Sequence, residues 1–153
     1  MNPETEYLTD LTFQANFGYT LASPLNRLGA TIVESFIIYV PLYFIVGGDN
    51  SFFDFGDFEI EPLLFQIGLS TLLGAIFYPL WSGNLGHKIF GMKVISAIDG
   101  SDQKKALVGA IRETLKNILG LILIPSIWLL WDPKKQNLYD KISNTLVVNN
   151  PKK

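Results

Sequence analysis

Cysteine is absent from the chain, which excludes a disulfide framework, a thiol nucleophile and a thiolate metal site. Histidine occurs once, as His87, so a His-based metal cluster has no second imidazole. Basic residues are missing from the opening MNPETEYLTDLTFQANFGY. Without a positive start followed by an apolar core, this stretch is not expected to be a secretory signal. Basic residues are missing again from GGDNSFFDFGDFEIE, residues 47–61, which holds five acids. These acids lack the ligand alternation and central glycine of an EF-hand and read as a solvated loop. The net charge is −2, and no nucleic-acid partner is expected, since that would favour a basic surface.

Charge is also missing from long apolar runs. Of the 153 residues 48% are hydrophobic, and they gather in three blocks. The first spans about 28–46, where Glu34 is the only charge and follows Arg27 by seven residues. The second, 62–81, is PLLFQIGLSTLLGAIFYPLW and carries no charge. Each is long enough to cross a hydrocarbon core of about 30 Å at about 1.5 Å per residue. Tyr78 and Trp81 suit an interfacial belt. The third block, about 115–131, includes Lys116 and is interrupted by Pro125. It reads either as one kinked crossing, with Lys116 snorkelling to the interface, or as a re-entrant hairpin.

Loop charge gives an expected orientation. Lys88, Lys93, Lys104 and Lys105 lie between the second and third blocks, with Arg112 closing that connection. The positive-inside rule places it in the cytoplasm, the acidic loop outside and the N-terminus inside. The tail carries Lys134, Lys135, Lys141, Lys152 and Lys153 and also belongs inside. Three full crossings would put it outside, and a re-entrant third block removes that conflict.

Between the spans, GMKVISAIDGS and NTLVVNN are short strand candidates, expected to pair at the cytoplasmic face. DQKKALVGAIRETLKNIL reads as a helix with Asp102 near its start. GNLGHK lacks the spacing of a phosphate loop. Gly83, Gly86 and Gly91 instead let an interfacial helix approach the bilayer or the second span, with Lys88 and Lys93 meeting lipid headgroups. Trp128 and Trp131 are expected at the interface, Asp132-Pro133 ends the helix, and Lys134 and Lys135 anchor to anionic lipid.

ASPLNRLGATIVESFIIY, GNLGHKIFGMKVISAIDG, AIRETLKNILG and KKQNLYDKISNTLVV occur in this order, and together they resemble the RDD family of small bacterial membrane proteins. The resemblance covers about Ala22 to Val148. The Arg and two Asp that name the family fall on Arg27, Glu34 and Asp140, with Glu where Asp is usual. Tyr139 stands where His is usual and Lys135 where Arg is usual, so no imidazole chemistry carries over. The resemblance implies a transport role, cation–proton exchange included, in the cell inner membrane.

The fold expected is an all-α membrane protein. It is a helical bundle of two firm transmembrane helices plus a third broken or re-entrant apolar segment, with a minor two-stranded cytoplasmic β element. Residues 1–21 form a cytoplasmic tail, 22–148 the membrane domain and 149–153 a C-terminal tail. Arg27 and Glu34 share a helix face with Thr31, but about 10 Å along the axis separates them. Glu34 therefore needs a partner elsewhere, with Asp140 and Arg112 as candidates in a net-neutral set. A charge at membrane depth costs about 2.5–3.5 kcal/mol, so something compensates it. Two readings stand: a cation or proton site, or an ion-pair clamp between the first span and the tail. Asp140 either meets Arg27 or merely caps a turn.

Gln66, Ser70, Gly74 and Tyr78 form a stripe at spacing four that Asn117 and Gly120 extend. It is either a polar path or a small-residue packing seam. No Ser-His-Asp set or spaced carboxylate pair stands out, so no enzyme, cofactor or metal is expected. The partners expected are the lipid bilayer and a cation or proton. Because one small chain hardly encloses a path, transport would imply a homo-oligomer.

Overall fold

A computed structural model describes residues 12, 16–45, 60–120 and 128–150 of the chain. The acidic loop after the first span, the Pro125 region and the terminal lysines lie outside the described residues.

The first span starts at Ser23, whose hydroxyl accepts the Asn26 N–H at 3.2 Å, with Pro24 in the first turn. Ser supplies an orphan-donor partner and Pro a pre-set φ, so helix α1 (Pro24–Glu34) begins four residues before the expected edge. It then widens into a π-helical turn, Ser35–Tyr39, before α2 (Val40–Ile45). Pro41 lacks the N–H that an α-helix would return to residue 37, and a local widening accommodates that loss. Thr31 and Ser35 hydroxyls bond back to the carbonyls of Arg27 and Thr31 at 3.1 and 3.0 Å, which further favours a bend.

The second apolar block forms α3 (Ile60–Trp81). It is apolar all round, the mark of a helix without a soluble-facing side. Two stretches, Pro24–Ile45 and Leu63–Ile89, are long and apolar enough to cross a membrane, with mean hydropathy 1.8 and 1.7. Leu25, Leu28, Phe36, Leu64, Leu72 and Leu80 are exposed along them, a surface suited to lipid. Asn84 then caps the short α4 (Leu85–Ile89) by accepting the His87 N–H at 2.9 Å. Gly86 lets α4 sit directly on the backbone of Ala30. The close approach is thus to the first span, not to the bilayer or second span as the glycine pattern predicts.

Helix α5 (Ala106–Gly120) packs antiparallel on α3. Gly74 meets Gly109 backbone to backbone, Thr71 and Thr114 hydroxyls lie 2.6 Å apart, and Asn117 donates to Ser70 Oγ at 2.7 Å. Small residues let the backbones close in, and the hydroxyl and amide groups bond across the gap. Of the third apolar block, the described parts are the end of α5 and a 3₁₀ turn at Trp128–Leu130.

After a turn comes α6 (Leu138–Ile142). Strands β1 (Met92–Ser96) and β2 (Thr145–Asn149) pair antiparallel, Val94 opposite Val147 and Ile95 opposite Leu146. Met92, Val94 and Val147 pack with Ala22, Ala30 and Tyr78 on one face. Ile95, Leu146 and Val148 pack with Leu21 on the other. Residues before the first span extend the sheet: Ala22 N–H donates to Val147 at 3.0 Å and Asn149 N–H to Thr20 at 2.9 Å. The sheet therefore ties the start of the first span to the chain's tail.

Candidate functional site

Where the ends of α1, α3 and α5 meet α4 and α6, six buried or largely buried charges converge. Asp140 is fully buried and accepts from two arginines. Arg27 Nη2 reaches Oδ2, while Arg112 Nε and Nη2 reach Oδ1 at 3.0 and 2.5 Å. The Asn137 N–H also donates to Oδ2 at 2.9 Å, so Asp140 both caps α6 and clamps two helices. Burial pushes its pKa up, but the charges of Arg27 and Arg112 outweigh this and hold it below the usual Asp value. Arg27 spends Nη1 on the Lys135 carbonyl at 2.6 Å, which Lys135 presents from a left-handed backbone conformation. Arg112 also stacks over the Tyr139 ring, 5.1 Å from its centroid.

Glu34 does not join this group. Its carboxylate accepts from Lys116 Nζ at 2.9 Å and Asn84 Nδ2 at 2.7 Å. These partners stand in place of Asp140 and Arg112, the partners expected from the sequence, because α1 carries Glu34 two turns beyond Arg27 toward the Lys116 end of α5. Lys116 also reaches Glu113 at 3.3 Å. The expectation that Lys116 snorkels to the interface is corrected: its ammonium turns inward, where two carboxylates outweigh its cost of leaving water. Tyr78 joins the halves, accepting from Arg112 Nη1 and donating to Glu113 Oε1 at 3.1 Å.

Three cations (Arg27, Arg112, Lys116) thus face three acids (Glu34, Glu113, Asp140). The neutral set is larger than the four expected, and it is unevenly divided. The Asp140 half has two cations to one acid, and the Glu34 half has the reverse.

The remaining candidates lie outside this charge network, although Thr31, Gln66 and Asn117 line one cavity. Thr31 is exposed and bonds its own helix; Ser70 and Asn117 pair within the α3–α5 seam. Gln66 is half-buried beside a cavity of about 580 Å³, lined also by Arg27, Lys116, Asn117 and Tyr139. Lys88 is exposed, with Nζ 5.9 Å from the Trp81 ring centroid, and Lys134 is exposed. Lys93 corrects the lipid-facing expectation. It lies on β1, nine-tenths buried, and donates to Asp102 at 2.5 Å and Tyr19 at 2.9 Å. Burial lowers its pKa, but those hydrogen bonds outweigh burial and raise it overall. Asp102 accordingly serves Lys93 and does not stand at the start of α5.

Glu113, Asn84 and Lys116 are the members that sequence reasoning missed. The charges in RETLK on a helix entering an apolar block were a usable signal for Glu113 and Lys116. The cap position of Asn84 was the only local sign for it. Among the described residues, no group of three His, Asp or Glu is placed to hold a metal.

A family profile matches residues 21–144, nearly the span over which the four motifs run. The chain belongs to the RDD family. No curated protein and no solved structure matches it. Of the three residues that the sequence resemblance singles out, Arg27 and Asp140 touch, whereas Glu34 is served by Lys116 and Asn84.

Proposed function

We propose that this RDD-family protein is a multi-pass inner-membrane protein that moves a proton or small cation through the acidic half of its charge network. The observation that carries this reading is the convergence of Glu34 and Glu113 on one ammonium and one amide. Two carboxylates share one lysine, and among the described residues the surplus negative charge of this half is offset only by Arg112, 3.7 Å from Glu113. A proton or monovalent cation can therefore exchange there by shifting the balance of the network. Lys116 lines the 580 Å³ cavity, giving the pair a neighbouring polar space. Because two spans enclose little, transport requires a homo-oligomer. The contact of Asp140 with Arg27 supports a tail on the side where the first apolar helix begins, the arrangement that a re-entrant third block would give. The charges serve translocation in this proposal, not catalysis.

Ion and proton flux into proteoliposomes tests it. Wild type should carry flux driven by a pH gradient, and Glu34→Gln should abolish it while retaining the fold. Absence of flux for any cation in the wild type overturns the transport reading. A second reading, a non-transporting scaffold, is favoured by one observation: Asp140 is satisfied by Arg27, Arg112 and Asn137 together. A wild type without flux, whose Asp140 variants only lose stability, would establish that reading instead.

A further inference from the structure

A second cavity, about 310 Å³, lies between the end of α3, α4 and β1, away from the charge network. Lys88, Lys93 and Lys104 line it with Asp102 as the single acid. Three ammoniums against one carboxylate leave two positive charges. Ser82 also lines it, only 1% exposed, and its hydroxyl has no hydrogen-bond partner. A buried hydroxyl without a partner is uncommon, because desolvating it is unfavourable. Ser82 moreover holds φ at +60°, a left-handed conformation that glycine adopts more easily. It is locked there by its N–H to Tyr78 at 2.9 Å and its carbonyl from Val94 N–H at 2.6 Å. Serine at this strained position keeps a buried, unpartnered hydroxyl in the wall of a cationic cavity.

We infer that this cavity binds a phosphomonoester, with Ser82 Oγ donating to one oxygen and Lys88, Lys93 and Lys104 balancing its charge. A phosphomonoester carries about −1.5 to −2 at pH 7, which matches the two uncompensated positive charges. Its several acceptor oxygens also suit a hydroxyl and ammoniums converging from different elements. Leu80 and Trp81 form the apolar side of the rim, so the group arrives either on a lipid such as phosphatidate or as free phosphate.

Thermal unfolding of the full-length protein in neutral detergent separates these sources. One arm adds inorganic phosphate against sodium chloride of equal ionic strength; the other adds phosphatidate against phosphatidylcholine. A rise in Tm with phosphate assigns the free anion, and a rise with phosphatidate alone assigns the lipid. A rise with neither overturns the inference. Ser82→Gly should weaken the effective ligand at least tenfold while leaving the unliganded Tm equal or higher, since both the orphan hydroxyl and the strain are removed. Lys88→Gln with Lys104→Gln, at exposed positions, should weaken it similarly. Unchanged affinity in both variants also overturns it.

Discussion

Arg112 Nη1 stands 3.7 Å from Glu113 Oε1, between side chains that are neighbours in sequence and both almost fully buried. This contact joins the two unequal halves of the network. Through Arg112 the surplus cation of the Asp140 half faces the surplus anion of the Glu34 half. Charges that would be unfavourable separately therefore compensate one another across a single helix turn.

Asp140→Asn is the most damaging conservative change expected. It keeps the shape but leaves Arg27 and Arg112 without an anion, and breaking a buried pair from one side costs about 3–5 kcal/mol. The loss is to be measured by thermal or denaturant unfolding in detergent. Arg27→Gln should cost less once Asp140→Asn is present, with a coupling of about 0.5–3 kcal/mol. Additive losses would show that the pair is energetically idle.

Acidification should expose the same residue. The folded pKa of Asp140 is depressed, so its stabilising contribution is complete above the unfolded value of about 3.9. That contribution is lost as pH falls through the lower folded value. Tm of wild type measured downward from pH 6 should drop below about pH 4. Asp140→Asn should start lower and lack that portion of the slope; an identical slope would assign it to other acids.

Lys116→Met should leave Glu34 and Glu113 facing each other without their shared cation and destabilise the bundle. Combining it with Glu34→Gln removes the surplus negative charge and should recover part of the loss. If the double variant is no better than the single, the ammonium contributes by packing alone.

The α3–α5 seam predicts opposite outcomes for two glycines. A Cβ on Gly109 would lie 2.6 Å from the Tyr78 ring and closer still to the Gly74 carbonyl, so Gly109→Ala should cost about 1–3 kcal/mol. Gly68 on α3 has nothing within 4 Å of an added Cβ. Gly68→Ala should be neutral or stabilising by up to about 1 kcal/mol. Equal Tm changes in the two variants would argue against close helix contact.

Single cysteines at Ile98 and Ile142, both exposed, should label from the same side of the membrane in intact cells and inverted vesicles. A cysteine at Asn50 should label from the other. Opposite labelling of Ile98 and Ile142 would contradict a tail that returns beside Arg27.

Local patterns in the sequence sufficed for the two apolar helices, the strand pair and the presence of buried charge. Apolar run length determines whether a helix can be surrounded by lipid, and alternating β-branched residues beside turn signals determine a strand. The pairing of Arg27 with Asp140 was also legible, through the family resemblance. The partners of Glu34 were not. They depend on the register of α5 against α3, set where Gly74 meets Gly109, and on α4 resting on Ala30 through Gly86. That register carries Lys116 and Asn84 to Glu34 and leaves Asp140 to the two arginines. A carboxylate's need for compensation is written in its own position along the helix, whereas which cation supplies it is decided by how separate helices dock.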